Sequence, residues 1–521
     1  MIKIEYKSNE NAVLLWQNAL KKAVETNDKE IYFPHGKYHF YTDGTTLKHC
    51  FISNNDASVK NIAIYLNNIN DLTITGDDAE FIFHGRISPF VLENCRNIKI
   101  SGISVDFSKR FSFEAKVIDS DNHSTVFDVD GDWQIDNGSL RVFNDGLDNM
   151  TGKLACTAFN IATGEICRNS NYYIVNQNIK AEKNHLRLPF ALKHNESDFF
   201  IRHQARHTPA FVIDRSTDIE LANINIYHAE GMGVVGQNSK NILLDNVNTV
   251  PAANKNLSVT DDAVHFSECY GSIIIKNCTF RQTLDDAINI HGMYRRLRKI
   301  GDAILLEACH FQQFGLWDGQ DGDTIEVLKK ETMQPYAELQ VKNFLPGTRQ
   351  FYCLELEDTL PEEFTDGDMA RIMRTANSEV IIENCNISNN MSRGILLSGC
   401  KKGIIRNNKL HSPGHGIYLA GDANYWYESG PNENIEICGN IFDKCCYTQF
   451  ESNPVTVDPV IPQKIADFKY HNKVSIHDNI FDLNNSKFAV QAHSLKELIF
   501  ENNQIISDKS NRNQADFIDW Q

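Results

Sequence analysis

Short apolar runs recur along the chain in one pattern, approximately apolar-x-apolar-x-Asn-x-x-apolar. Clear copies occupy residues 273–280, 380–387, 404–410, 435–442, 474–481 and 498–505, and fainter copies occupy 98–103, 219–226 and 242–247. β-Branched residues favour strands, and asparagine tolerates the left-handed backbone of a tight corner. Each copy therefore predicts two short strands that meet at a corner.

The spacing of these copies predicts the fold. The closest corners are 23 residues apart, from Asn384 to Asn407, and 24 residues apart, from Asp478 to Asn502. This is the length of one coil of a solenoid, in which equivalent corners stack as ladders. We predict an all-β protein, a right-handed parallel β-helix of the pectin-lyase-like type. Asn277, Asn384, Asn407 and Asn502 are expected to share one structural ladder.

The remaining segments complete the predicted organisation. Residues 1–109 would form an N-terminal cap and the first coils, with an amphipathic helix over 12–24 that buries Val13, Trp16, Leu20 and Val24.

Two stretches lack the asparagine motif and show hairpin-like alternation instead. We expect them to form two inserted antiparallel β-barrel-like subdomains at 110–205 and 293–370. Coils with the candidate catalytic residues would occupy 206–292, and C-terminal coils would occupy 371–521.

Composition narrows the function classes. The formal charge is −17, so a nucleic acid is not an expected partner. Thirteen cysteines without a CxxC pair or a zinc-type Cys/His spacing indicate neither a disulfide framework nor structural zinc. The sequence has no apolar stretch of about 18 residues, so neither a signal peptide nor a membrane span is predicted. A cytoplasmic location is expected if the chain is complete, and a secreted or periplasmic one if a leader was removed. Nothing in the sequence indicates an oligomeric state.

A separate set, or column, of equivalent positions on successive coils contains the candidate catalytic and ligand-binding residues. Small residues precede five apolar runs, and the residues immediately before them are Met232, Asp262, Asp286, Arg393 and His415. Asp262 and Asp286 are 24 residues apart, so they should lie on neighbouring coils, with Asp285 beside them. Stacked like charges are unfavourable, and structure alone seldom demands them. Arg393 and His415 would suit a charged or hydroxyl-rich ligand.

Three carboxylates on two coils fit glycoside hydrolysis, which needs a proton donor and a second group that attacks or activates water. We assign Asp285 as the general acid and Asp262 with Asp286 as the groups that hold and deprotonate water. A shared water implies inversion, with carboxyl separations of about 6.5–9.5 Å. Neither a metal nor a cofactor is expected.

An aromatic loop follows the column at residues 421–430. Its three consecutive aromatics could pack against a sugar ring, with Trp426 and Glu428 as the expected contacts. The expected partner is therefore an oligosaccharide or glycan.

Several segments resemble glycoside hydrolase family 110, the exo-α-1,3-galactosidases. They are residues 81–86, 261–266, 284–292 and 421–430. The resemblance implies a β-helix with two inserted barrel-like domains, an inverting mechanism, and release of terminal galactose from blood-group-B-type or linear glycans. It matches Asp285 to the acid and Asp262 and Asp286 to the candidate bases. His265 and His291, inside the matched segments, join the predicted substrate-binding residues.

Two alternatives remain at this stage. Residues 260–262, 285–286 and 414–416 are similar in order to elements of polygalacturonases, but no Arg-x-Lys follows Gly416 to bind a uronate, which favours a neutral sugar. A polysaccharide lyase would share the fold but would need calcium or a basic residue. A non-catalytic glycan-binding β-helix would explain the repeat but not the stacked aspartates.

Overall fold

The chain forms a parallel β-helix from which two antiparallel units project. The computed structural model describes residues 1–5, 10–142, 152–193, 195–316, 318–376, 378–448, 452–465, 467–483, 486–507 and 513–521. Within these residues the coils stack into two large sheets. The predicted all-β parallel β-helix is confirmed. No helix in the described ranges is long and apolar enough to cross a membrane.

The larger sheet contains 19 strands in the described part of the chain. They are Ile2–Lys3, Glu30–Phe33, Lys37–Tyr41, Asn70–His84, Arg96–Phe107, Thr217–Ile226, Lys240–Thr249, Tyr270–Lys276, Thr279–Arg281, Ser378–Glu383, Asn386–Ser388, Cys400–Arg406, Lys409–His411, Asn434–Cys438, Ile441–Asp443, His471–His477, Ile480–Asp482, Leu495–Glu501 and Gln504–Ile506.

The second sheet carries the predicted catalytic column and has 13 described strands. They are Thr46–Cys50, Ser58–Asn67, Ser88–Glu93, Phe211–Asp214, Val234–Gln237, Val264–Ser267, Ile288–Met293, Ile395–Leu397, Ile417–Leu419, Glu428–Ser429, Val455–Val457, Val490–Ala492 and Ile518–Trp520.

The core is a set of apolar columns between these sheets. Ile275, Ile382, Ile405, Ile437 and Ile476 occupy successive coils in register and are completely buried. Burial of one such side chain contributes about 1.5–3 kcal/mol. The alternation of buried and outward residues therefore fixes the register of every coil.

The predicted corner ladder is confirmed. Asn277, Asn384, Asn407 and Asn502 have φ values of 57°, 56°, 56° and 53°, the left-handed conformation that asparagine tolerates. Gly439 takes the equivalent corner between them with φ of 65°.

A second asparagine ladder, which the sequence interpretation did not separate from the first, lies inside the coils. Asn408, Asn440, Asn479 and Asn503 are buried. The Asn440 Oδ1 atom accepts from the backbone N–H and the side chain of Asn408, at 2.9 and 3.0 Å, and Asn440 donates to Asn479 in turn. These amides satisfy backbone groups at the turn, where no ladder partner exists.

An N-terminal helix packs against the first coils. It spans Ala12–Thr26, and the side chain of Asn11 caps its first turn. Val13 and Trp16 are buried as predicted, but the prediction for Val24 is wrong, because its side chain is 62% exposed. Ala23 lies on the buried face instead, and the next residue is turned about 100° away from it.

The first projecting unit is an antiparallel sheet of seven strands, with a separate two-stranded hairpin. The sheet strands are Ser112–Ser120, Thr125–Asp130, Lys153–Phe159, Ile166–Val175, Lys180–Glu182, His185–Leu188 and Asp198–His203, and the hairpin strands are Gln134–Asp136 and Ser139–Arg141. Among the described residues the two end strands of this sheet do not pair with each other, so it differs from a closed barrel. Phe159 and Phe200 dock it against Leu284 of the β-helix, next to the candidate acid.

The second projecting unit is a closed six-stranded barrel. Its strands are Arg295–Ile300, Ala303–Ala308, Thr324–Leu328, Pro335–Thr348, Phe351–Leu356 and Met369–Ile372. Short 3-10 turns lie at Phe311–Gln313 and, near the C-terminus, at Gln514–Phe517.

Substitution of an asparagine in the inner ladder should destabilise the β-helix. Asn440→Ala should lower the melting temperature and speed hydrogen exchange in the adjacent coils. It removes the partners of Asn408 and of the Ile405 carbonyl, each worth about 1–3 kcal/mol when left unsatisfied in the core. Asn407→Gly is the matched control and should have a small effect, because Gly439 already occupies an equivalent corner. Equal effects of both substitutions would contradict this role for the inner ladder.

Candidate active site

The three predicted catalytic aspartates lie at the entry to two neighbouring strands. Asp262 precedes Val264–Ser267, and Asp285 and Asp286 precede Ile288–Met293; the two strands pair in parallel register. The backbone N–H of Asp286 donates to Asp262 Oδ1 at 3.0 Å. Stacking of coils therefore brings together residues that are 24 positions apart in the sequence.

The carboxylates are closer than the sequence argument required. One oxygen from each of Asp262, Asp285 and Asp286 lies within 4.8 Å of the other two. The expected separation was about 6.5–9.5 Å. These nearest-oxygen distances are shorter, so the separation does not itself support an inverting mechanism.

Two arginines compensate the negative charge. Arg393 binds Asp286 through Nε at 2.9 Å and a terminal nitrogen at 2.6 Å, and Arg206 contacts Asp285 at 3.1 Å. Arg206 also pairs with the buried Asp261 at 2.9 Å. Arg206 and Asp261 were not among the predicted site residues. Arg206 follows the first insert, where the sequence has no repeat motif to reveal its position.

Burial raises the pKa values of two of the aspartates. Desolvation is the main cause that raises the pKa of Asp262 well above its usual value, and the negative charges of Asp285 and Asp286 raise it further. Burial also raises the pKa of Asp286 to about 6, although Arg393 opposes the shift. Asp285 differs in position, because its side chain is 28% exposed. The cluster thus combines one accessible and two buried carboxyl groups.

A chain of hydrogen bonds runs from Asp262 into the interior. Asp262 Oδ2 lies 2.7 Å from His265 Nδ1, and His265 Nε2 lies 3.1 Å from His291 Nε2. His291 Nδ1 then lies 2.7 Å from the carbonyl oxygen of Gly292. Both imidazole side chains are fully buried. The predicted substrate contact of His265 and His291 is therefore wrong, and the two rings instead support Asp262 from behind.

The other predicted binding residues divide between surface and interior. Glu428 is largely buried, with its carboxylate 3.4 Å from Asn289 Nδ2 and 3.8 Å from His291. His415 lies one coil beyond Arg393, where Thr456 contacts its Nδ1 atom at 2.9 Å and burial lowers its pKa to about 4.

Trp426 remains 41% exposed, packed 5.0 Å from the ring of His310. The carboxylate of Asp422 accepts hydrogen bonds from three successive backbone N–H groups of this aromatic loop. Such bonds hold the loop in one conformation with its aromatic surface outward.

A cavity of about 510 Å³ opens above Asp285. The β-helix contributes Asp56, Arg206, Asp261, Asp285 and Met391 to its lining. The other walls come from both inserts and the aromatic loop: Lys153, Tyr173, Arg202, Gln204, His310, Phe311, Gln312, Tyr425 and Trp426. Polar groups at the base and aromatic groups at the rim suit a sugar, which has both polar edges and apolar faces.

Comparisons with known proteins agree with this arrangement. The family description "GLAA-B beta-barrel domain II" matches residues 303–369, and "Right handed beta helix region" matches residues 362–514. The second description confirms the predicted handedness. An alpha-1,3-galactosidase B of Bacteroides thetaiotaomicron is 31% identical to this chain, over 96% of the chain and 84% of its own length.

The chain belongs to the alpha-1,3-galactosidase family. An alpha-1,3-galactosidase A of Shewanella woodyi is 28% identical, over 96% of this chain and 84% of its own. Among solved structures, a mannuronan C-5 epimerase module of Azotobacter vinelandii aligns with 100% of this chain and 99% of its own at 8% identity and a TM-score of 0.43. The family match confirms the resemblance to glycoside hydrolase family 110.

Within this alpha-1,3-galactosidase family member, two groups of described side chains have the spacing of metal ligands. One is the cluster of Asp262, Asp285 and Asp286, and the other lies on the opposite sheet. Arg206 and Arg393 already supply two positive charges to the aspartates. Arg206 is shared with Asp261, so a proton on one of the three aspartates would further reduce the repulsion among them.

The raised pKa of the buried Asp262 favours a proton on this aspartate, and the histidine chain can accommodate it. The Gly292 carbonyl can only accept, so His291 Nδ1 carries hydrogen. A hydrogen on Asp262 Oδ2 can be donated to His265 Nδ1, which lies 2.7 Å away. Burial lowers the pKa of His265 well below its ordinary value, which agrees with a neutral ring.

This protonation pattern predicts a pH-dependent stabilisation by Asp262→Asn. An amide can accept from the Asp286 N–H and donate to His265, as the protonated acid does. Because the pKa of Asp262 is raised in the folded state, this group favours folding at pH values below its ordinary pKa of 3.8. The contribution is lost as the pH rises through the pKa of Asp262 in the folded protein. The variant does not titrate, so its melting temperature should exceed that of the parent by a margin that grows with pH.

Thermal unfolding between about pH 4 and about pH 9 measures this margin. Asp302→Asn, at an exposed turn of the barrel, is the control and should show no such trend. A margin that shrinks with increasing pH would contradict a protonated Asp262.

Proposed function

We propose that this protein hydrolyses terminal, non-reducing α-1,3-linked galactose and inverts the anomeric centre. The observation that carries the proposal is that one accessible carboxyl group, Asp285, lines a sugar-sized cavity and lies beside two buried carboxyl groups, Asp262 and Asp286. Membership of a family whose relatives are named alpha-1,3-galactosidases supports the linkage and the sugar. The inverting course rests on the resemblance to glycoside hydrolase family 110.

Asp285 is proposed as the general acid because its side chain lines the cavity. In its protonated form it would donate to the glycosidic oxygen as the bond from that oxygen to the anomeric carbon breaks. Arg206 lies beside the carboxylate that remains and would stabilise its charge. The leaving group departs as a neutral alcohol.

Asp286 and Asp262 are proposed to hold the attacking water. A water that donates to two oxygens at about 2.8 Å each spans oxygens about 4.5 Å apart. One oxygen of Asp262 and one of Asp286 lie no more than 4.8 Å apart, which permits such a bridge. Asp286 would take the proton as the water oxygen bonds to the anomeric carbon, and Asp262, already protonated, would orient the water. Solvent exchange afterwards returns a proton to Asp285.

Action at a chain end fits the walls of the cavity. Side chains from both inserts and from the aromatic loop contribute to it. A long glycan lying along the coils would meet these walls, whereas a single terminal residue could enter with the rest of the glycan directed outward. This supports an exo mode of attack.

The alternatives fit less well. A lyase must neutralise a uronate carboxylate, yet Arg393 and Arg206 are both paired with aspartates. A binding module has no need of three clustered carboxyl groups. Loss of turnover in chelator would favour the lyase, and absence of turnover on every galactoside would favour the binding module.

A linkage and anomer experiment tests the proposal. The protein is offered α-1,3-, α-1,4- and α-1,6-linked galactosides, and released sugar is followed by proton NMR before mutarotation. We expect galactose from the α-1,3 substrate, appearing first as the β-anomer. Early α-anomer would overturn the assigned inversion, and preference for another linkage would overturn the assigned substrate.

Replacement of the proposed acid should separate chemistry from folding. Asp285→Asn is expected to lower turnover by about 10²–10⁴-fold or more, because it removes a proton donor. The melting temperature should change little, because this partly exposed side chain is not a core contact. Asp302→Asn serves as the control and should retain parental turnover.

Loss of turnover together with loss of the folded state would instead indicate a structural role for Asp285. Loss of Asp262, which would only orient the water, should cost less turnover than loss of Asp286, which would take the proton of the water.

A further inference from the structure

A second cluster of reactive side chains lies on the outer face of the larger sheet, opposite the sheet that carries the aspartates. Glu436 and Cys438 are two residues apart in Asn434–Cys438, so they project from the same face of the strand. His477 ends the neighbouring strand, directly in register with Cys438. The three side chains are partly exposed.

Their atoms have the spacing of ligands around one ion. The Oε1 atom of Glu436 lies 3.2 Å from His477 Nε2, and one ligand atom from each of the three residues lies within 4.8 Å of the others. Ligands bonded to tetrahedral zinc at about 2.0–2.3 Å are about 3.3–3.8 Å apart. Thiolate, imidazole and carboxylate are the groups that zinc binds.

A separate contact orients the histidine for this role. His477 Nδ1 lies 2.8 Å from Asp478 Oδ2, and a carboxylate can only accept, so Nδ1 carries hydrogen. Nε2 lies beside the Glu436 carboxylate, and a metal ion that replaced the hydrogen of Nε2 would be bound by its lone pair together with Glu436 and Cys438. Metal-binding histidines are commonly held by such a carboxylate on the opposite ring nitrogen.

The positively charged side chain next to Cys438 in the neighbouring strand is paired with a different residue. Arg406, in register with Cys438, binds Glu383 at 2.6 Å on the far side. Nine of the thirteen cysteines are buried as small apolar residues, whereas Cys438 is partly exposed beside a histidine and a carboxylate. A solvent-facing strand position without a binding role would not require a thiol at residue 438.

We propose that Glu436, Cys438 and His477 bind a zinc ion, with water or an external ligand in the fourth position. The ion would join two coils at the longest excursion among the C-terminal corners. From Gly439 to Asp478 the chain takes 39 residues, compared with 24 from Asp478 to Asn502. A link across that excursion would stabilise the C-terminal coils against local opening.

Cobalt titration of the intact, chelator-treated protein tests the site, with Co²⁺ alone as the probe. We expect one ion per chain, a thiolate-to-cobalt charge-transfer band, and the visible bands of a four-coordinate ion. Zinc should displace the cobalt and raise the melting temperature. Cys438→Ser should abolish the charge-transfer band and the rise in melting temperature, whereas Cys353→Ser, at another partly exposed cysteine, should retain both.

Asp478→Asn gives a graded test that does not remove a ligand. Asparagine suits the φ of 57° at this corner but lacks the charge that polarises His477, so the affinity should fall by about 10–100-fold. Galactoside hydrolysis should be unchanged in these variants, so the site can fail without the proposed function failing.

Either of two results would overturn the proposal: no thiolate band in the folded parent protein, or a band that persists in Cys438→Ser. Cobalt bound without a thiolate band and lost in Asp285→Asn would place the ion at the aspartates and would equally overturn it.

Discussion

Parallel coils stay in register because a slip of one residue would turn a whole set of buried side chains outward. The columns of isoleucine impose this register, and the left-handed corners at Asn277 and Asn384 make each coil begin its next turn at the same place. The same register carries Asp262 and Asp286 to adjacent positions, although their proximity is unfavourable. Hydrophobic stacking thus holds together groups that would separate in a looser scaffold.

The cost of that proximity is reduced in three ways. Arg393 binds both oxygens of Asp286, and Arg206 is shared between Asp285 and Asp261. Burial raises the pKa of Asp262, which favours its uncharged form. Catalytic sites commonly retain such locally unfavourable arrangements, which the rest of the fold stabilises. The two histidines therefore contribute through the state of an aspartate and not through contact with sugar.

Periodic features could be predicted from the sequence, and features that depend on contact between distant segments could not. The corner asparagines and the stacked aspartates recur at a coil's length, so spacing alone located them. Arg206 lies outside any repeat and had no periodic signal. Cys438 and His477 occupy the same position of two motif copies, but the motif does not specify which side chains stand there. The prediction for Val24 was wrong for a local reason, because Ala19 and Ala23 continue the buried face that Val13 and Trp16 begin.

Residues of both inserts, which flank the aspartate segment in the sequence, line the cavity, and the stacked coils carry the proposed catalytic aspartates. Tyr173 and His310 belong to these outer walls, and neither takes part in the coil-to-coil packing. The walls that would contact a glycan in the proposed function and the packing that maintains the fold are consequently encoded in separate stretches of polypeptide. Lineages could remodel the rim for new acceptor sugars by insertion or substitution there, with the hydrolytic centre inherited unchanged.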